Sequence, residues 1–166
     1  FSTRHITKSL AEEVGLPSLR PVSSASPGVL GQTGIESAEM IRGIMNETSP
    51  DAVITVDALS ARSIKRLGCT VQMTNTGIVP GSGVGKTLGV PVIAIGVPTV
   101  VDAAALVFDI TGNENIPQPE RERAEKMMVT PREIDVMISR ASRLLALAIN
   151  SALQPDMDMK TLLSLV

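Results

Sequence analysis

The sequence predicts an α/β fold: one open sheet of mixed or parallel strands flanked by helices. Three observations carry it. Residues 52–56 (Ala-Val-Ile-Thr-Val) and 90–95 (Val-Pro-Val-Ile-Ala-Ile) are continuous apolar runs rich in β-branched residues, the pattern of strands covered on both faces. Residues 35–45 and 134–149 repeat apolar side chains at helical spacing. Glycine-rich loops stand between these runs, at 26–34 and 76–89. Alternation of strand and helix signals is the mark of a single layered α/β sheet.

Each element has its own local reason. Residues 8–14 hold a short helical pattern that Gly15 stops. Pro17, Pro21 and Pro27 make 16–34 a poor place for regular structure beyond short extended pieces. Thr33-Gly34-Ile35-Glu36 fits a capping box, with Thr33 as the cap and Glu36 reaching back. The helix after it buries Ile35, Ala38, Ile41, Ile44 and Met45 and ends at Ser49-Pro50-Asp51. The strand at 52–56 then delivers Asp57 at its carboxyl end, and 59–67 reads as a short helix. Residues 69–74 alternate polar and apolar side chains, a half-buried strand near an edge. After the second buried strand, Gly96-Val97-Pro98-Thr99 opens a helix to about Ile110. The polar segment 111–127, with Pro117 and Pro119, reads as a loop or insertion site inside a single domain covering 1–166. Thr130-Pro131-Arg132-Glu133 is a second capping box with Pro at the first helical position. Its helix runs to about Leu153 on Ile134, Met137, Ile138, Leu144, Leu145 and Ile149, and 154–166 adds one more short helix.

Composition removes several functions. The chain has 166 residues, 43% apolar and 19% charged, which is globular rather than disordered. Its net charge of −2 offers no basic excess for a phosphate backbone. With no Trp, no Tyr and only Phe1 and Phe108, it has no base-stacking platform. The lone Cys69 excludes an internal disulfide and a multi-thiolate zinc site, and suits a reducing compartment. The lone His5 excludes a two-histidine metal site. No uninterrupted apolar run approaches the ~20 residues that cross a bilayer, and the start is not a signal peptide. The chain starts at Phe1 without an initiator Met, so it is expected to be a piece of something longer.

Residues 80–87, Pro-Gly-Ser-Gly-Val-Gly-Lys-Thr, look like a phosphate-binding loop in which Lys86 meets the outer phosphates and Thr87 a magnesium ion. The template requires Gly where Pro80 stands. It also requires the loop to open a helix, whose amino end supplies the amides and the field. Here Leu88-Gly89-Val90-Pro91 leads into a strand instead. A surface loop between strands is the plainer reading.

Among the carboxylates, Asp57 comes first, because open α/β sheets place ligands outside the carboxyl ends of their strands. Asp57-Ala58-Leu59-Ser60 also reads as a plain helix start capped by Asp57, and both roles stay open. Asp102, at the start of the helix after the next strand, favours that helix end and is the one in-chain candidate to partner Asp57. Two carboxyls sharing a proton can activate a water and protonate a leaving group. Arg62 lies little more than one helical turn after Asp57, close enough to pair with it or to point out to solvent, and both stay open. His5 reads as a surface residue, Cys69 as a small buried hydrophobe, and Met127 and Met128 as packing.

Several blocks together resemble the germination protease (spore protease) family. They are 27–36 (PGVLGQTGIE), 57–63 (DALSARS), 76–85 (TGIVPGSGVG), 88–103 (LGVPVIAIGVPTVVDA) and 128–135 (MVTPREID), with Arg4-His5 and Arg20-Pro21-Val22-Ser23 also fitting. The resemblance covers most of the chain in order. It implies an endopeptidase of aspartic type that degrades small acid-soluble spore proteins at germination, made as a zymogen, activated by amino-terminal autoprocessing and assembled as a homotetramer. It implies a hydrogenase-maturation-protease or phosphorylase-hydrolase-like fold and a cytoplasmic, spore-core location; the residues themselves offer no obvious metal cluster, which leaves open whether a metal assists, and no cofactor and no direct nucleic-acid or membrane partner is expected. Of two essential Asp residues in the family, one carries over to Asp57; the other falls in a block upstream of Phe1. Asp102 stands as a supporting acid. Thr76, Gly77, Gly81, Ser82 and Gly83 are the expected substrate-binding loop. The family is longer between Gly85 and Thr87 and between Ile110 and Met127. Two rivals follow from the same residues: a non-catalytic binding or scaffold homologue without the second Asp, and a nucleotide-binding module using 81–87.

Overall fold

The computed structural model describes residues 1–75, 89–112 and 116–165. The chain forms two compact units, Gly28–Ile138 and Phe1–Pro27 with Ser139–Val166.

The first unit holds the sheet. Its strands are β1 (Val53–Ala61), β2 (Gln72–Thr74), β3 (Val92–Asp102) and β4 (Met128–Val129). Among the described residues the order is β1-β3-β2, with β4 also pairing β3. β1 runs parallel to β3, while β2 and β4 run antiparallel to it. The sheet is therefore open and mixed, with helices beside it, as the sequence predicts. β3 supplies most of the core: Val92, Ala94, Ile95, Val97 and Val101 are buried, together with Ala61 of β1.

Both long strands run further than the sequence indicates. Asp57 sits in the middle of β1, and the helix expected at 59–67 shrinks to a 3-10 turn, Ile64–Arg66. β3 continues through Gly96 and Pro98 to Asp102 before α4 (Ala103–Thr111) begins. The reason is mutual pairing. Register partners Asp57↔Gly96, Leu59↔Pro98 and Ala61↔Val101 give both segments a ladder that local propensity does not foresee. Pro98 fits because of its side of the strand. The Val53 N–H donates to the Pro91 carbonyl at 3.0 Å, so odd-numbered residues of β3 before the bulge turn their backbone groups toward β1. The missing N–H of Pro98 thus falls on the other side, beyond the last β2 pair at Gln72↔Gly96. There its carbonyl accepts from the Gly68 N–H at 2.8 Å. Past Pro98 the register slips by one, leaving Thr99 as the extra residue of a bulge.

Gly96 is fixed by packing. A Cβ there would collide with the Leu59 side chain, which lies across the strand at this point.

Helix α3 (Ser37–Thr48) follows the short α2 (Leu30–Thr33). Its cap lies one turn later than expected: Glu36, not Thr33, is the N-cap, and its N–H donates to Glu39 Oε2 at 3.2 Å. Thr33 instead receives the Ile35 N–H at 3.2 Å. Within the segment read as a loop at 111–127, Gln118–Glu125 forms helix α5, with Pro119 in its first turn. Helix α6 (Ile134–Leu153) starts after a turn in which the Ile134 N–H donates to the Pro131 carbonyl at 3.2 Å, so Pro131 precedes the helix.

In the second unit a buried polar clamp ties the amino-terminal segment to α6. Thr3 Oγ1 donates to the Arg20 carbonyl at 2.6 Å and accepts from the Val22 N–H at 3.0 Å. Gln154 takes the Arg20 N–H at 2.8 Å and returns its amide to the Arg20 carbonyl at 2.9 Å. Thr3 and Gln154 are 1% and 3% exposed, so water cannot replace these bonds. Thr3→Val keeps the shape and strands the Val22 N–H, which is expected to cost ~1–3 kcal/mol in chemical denaturation. Thr3→Ser keeps both bonds and should lose less.

By length and mean hydropathy (1.3) α6 is of the kind that crosses a membrane, although the run is not unbroken. Arg140 and Arg143 lie within it. Each costs ~2.5–3.5 kcal/mol at a bilayer centre, which opposes such insertion. Helix α1 (Lys8–Glu13) is capped by Thr7, and α7 (Met159–Ser164) by Asp158. The Thr161 hydroxyl and N–H hold the Asp158 carboxyl below its ordinary value of 3.8. A lowered folded-state value stabilises above the ordinary value and is lost as pH falls through the lower one. Asp158→Asn is accordingly expected to narrow the stability difference between pH 7 and pH 3, read by thermal melts at the two pH values.

Candidate functional site

Asp57 projects from the middle of β1 and is exposed. Its position follows from the ladder. Since Val53 turns its N–H to β3, the same-parity residue Asp57 does so too, and the Ala58 N–H points away from β3. Asp57 Oδ1 accepts that N–H at 2.8 Å. Among the described residues no strand pairs with this outer side of β1. The carboxylate therefore stands at an open edge, solvated and able to meet an approaching water or amide.

Asp102 ends β3 and caps α4, its Oδ1 accepting the Ala105 N–H at 2.7 Å. The structure does not bring it to Asp57. Asp57 pairs with Gly96 and, past the bulge, Ala61 pairs with Val101, so Asp102 stands about five rungs further along the ladder, about 16 Å away. At that separation two carboxyls cannot share a proton. Arg62 is likewise five extended residues from Asp57, about 16 Å, because the segment is strand rather than helix.

Asp102 and Arg62 instead share a cleft of about 570 Å³ with Ala104, Ala105, Phe108, Ile116, Arg121, Glu125 and Met128. It lies outside the carboxyl ends of the two parallel strands, the place where α/β sheets bind ligands. Arg62 follows the last residue of β1, and the next turn is pinned to α4 by the Ile64 N–H donating to Asp109 Oδ2 at 2.6 Å. Arg121 pairs with Glu125 at 3.0 Å. Among the described residues Arg62 has no hydrogen-bond or ion-pair partner.

Sequence reasoning missed this cleft because it depends on α5 and on the lengthened β1. The available signal was the Arg121/Glu125 spacing of four, which supports a helix. Met128 lines the cleft and Met127 is also exposed, where packing was expected. Cys69 is exposed rather than buried. His5 is exposed. Thr76, Gly77, Gly81, Ser82 and Gly83, and the Lys86-Thr87 pair, lie outside the described residues. Among the described residues no group of three or more His, Cys, Asp or Glu side chains is placed to hold a metal ion.

Comparison with known proteins gives one consistent family. Residues 1–112 match the family model described as germination protease. A germination protease of Clostridium tetani (strain Massachusetts / E88) is 39% identical over 194 positions, covering 95% of this chain and 60% of the relative. One from Caldanaerobacter subterraneus subsp. tengcongensis is 40% identical with the same coverage. That of Halalkalibacterium halodurans is 53% identical over 115 residues, 64% of this chain and 31% of the relative. The chain thus spans about 60% of the length of the first two relatives. Their alignments also exceed the 166 residues present, so the relatives carry residues inside the aligned range that have no counterpart here.

Proposed function

Because this chain belongs to the germination protease family, we propose that the protein is an endopeptidase acting during spore germination, with Asp57 as one of two acids that drive hydrolysis. Its substrates in this reading are small acid-soluble spore proteins. The observation that carries it is the exposed Asp57 carboxylate at the open edge of β1, inside the family-matching block at 57–63.

The chemistry is carboxylate-assisted hydrolysis. Asp57 takes a proton from a water molecule while the water oxygen bonds to the carbonyl carbon of the peptide. The C–N bond then breaks as the nitrogen receives a proton from a second carboxylic acid. Asp102, held at α4 and about 16 Å away along the ladder, does not supply that proton. The second acid is the one that the family resemblance puts upstream of Phe1. Zymogen processing, a homotetramer and a cytoplasmic, spore-core location belong to the same proposal.

The separation of Asp57 from Asp102 favours one second reading, a scaffold that keeps the fold without turnover. Incubating the full-length protein with a purified small acid-soluble spore protein decides between them. Fragments from the parent protein and none from Asp57→Asn are expected; an intact substrate with the parent protein overturns the enzyme reading.

A further inference from the structure

One rung of the sheet sets three residues in line. Asp57 of β1 pairs with Gly96 of β3, and Gly96 pairs with Gln72 of β2. Paired residues on neighbouring strands turn their side chains to the same face. Asp57 and Gln72 therefore flank the glycine on one side of the sheet, about 10 Å apart at two strand spacings. Gly96 puts no side chain between them. The Leu59 side chain fills the place where a Cβ of Gly96 would stand and floors the gap with methyl groups. Asp57 Oδ1 accepts the Ala58 N–H, while Oδ2 has no partner among the described residues. Gln72 is exposed, and among the described residues its amide has no partner either. A proton acceptor and an uncharged N–H donor thus stand on either side of an apolar floor.

We propose that Gln72 is a catalytic residue of the hydrolysis, its Nε2–H donating to the oxygen of the peptide carbonyl that water attacks beside Asp57. The inference rests on the endopeptidase reading and adds to it the group that holds the developing charge. As Asp57 Oδ2 takes a proton from water, the water oxygen bonds to the carbonyl carbon and the π pair moves onto the carbonyl oxygen. The Gln72 amide stabilises that oxyanion. When the pair returns to re-form the C=O bond, the C–N bond breaks and the nitrogen takes its proton from the second acid. Asp57 has then gained the proton that the second acid lost, and exchange with solvent restores both. The span fits this division of work. A peptide lying over Gly96 is about 5 Å from each flank, a distance that a side chain, or a side chain and one water, can bridge. An amide also suits the place better than a cation, because it donates without locking Asp57 into an ion pair. The pairs Gln72↔Gly96, Met73↔Ile95 and Thr74↔Ala94 fix the β2 backbone, so the donor is presented from a set position.

The test follows cleavage of a purified small acid-soluble spore protein by the full-length protein and its variants. Gln72→Leu keeps the bulk and removes the donor. It is expected to lower kcat by roughly 10²–10³-fold while KM stays within about two-fold of the parent. Gln72→Glu sets a negative charge where the oxyanion forms and should lose at least as much at pH 7. Gln72→Asn keeps the amide on a shorter stem and should recover part of the loss. All three should melt with the parent, since the side chain is exposed and has no bond to lose. Should Gln72→Leu melt early, the same split between kcat and KM is read in Gln72→Glu. Turnover at the parent rate overturns the proposal. So does a loss carried by KM alone, which makes Gln72 a binding group. An intact substrate with the parent protein sinks the enzyme reading and the role of Gln72 with it; equal cleavage by the parent and Gln72→Leu sinks that role alone.

Discussion

Asp57→Asn is expected to lower kcat for a small acid-soluble spore protein by about 10²–10⁴-fold, the usual worth of a positioned acid–base group. The folded protein should be otherwise unchanged. The side chain is exposed, and among the described residues its one hydrogen bond is from the Ala58 N–H, which the Asn carbonyl oxygen also accepts. Thermal midpoint and peptide affinity should therefore match the parent while turnover collapses, a pattern read by chromatography of the cleaved fragments beside a melting curve. Asp102→Asn is the contrast. Its amide oxygen can still cap α4, and the residue lies about 16 Å along the ladder from Asp57, so cleavage should persist. Turnover at the parent rate in the Asp57 variant would remove the carboxylate from the chemistry.

Gly96→Ala is expected to destabilise the sheet at its centre. It adds a methyl group where Leu59 already lies, on the central strand, opposite Asp57 in the register. Overpacking of this kind costs ~1–3 kcal/mol, because Leu59 must leave its rotamer or β1 must shift. Urea unfolding should show it as a lower midpoint with an unaltered slope. Leu59→Ala by itself also destabilises, by opening a void. The double variant should be more stable than the two separate costs predict, since each change relieves the other. Additive costs would mean that the two residues do not touch.

The elements legible from sequence were those whose signal is contained within them. α1 ends before Gly15, the core of β1 and β3 is continuous and β-branched, and α6 repeats its apolar set over five turns. The mistakes cluster where a distant partner decides. Asp57-Ala58-Leu59-Ser60 carries a helix-start pattern, yet Gly96 to Val101 lies alongside and offers a ladder, so the segment stays extended. Gly96 and Pro98 look like turn residues, and both serve the strand: one makes room for Leu59, the other hides its missing N–H past the end of β2. Asp57 stands out as a candidate in the sequence because a carboxylate beside a buried strand is a local fact. The cleft around Arg62 was not, because it exists only once β1 reaches Ala61 and α5 forms.

The slipped register at Thr99 has a consequence for how this family can drift. Before it, even positions of one strand face the same way as odd positions of the other; after it, odd matches odd. Removing that single residue would make the count uniform and leave Val100, Val101 and Asp102 on the faces they now have, because Ser60 and Ala61 already alternate after Leu59. Substitutions along β3 can be absorbed one at a time. Loss of Thr99 alone is a one-codon deletion that the ladder should absorb in the same way, because it removes the unpaired residue and leaves every pair in place.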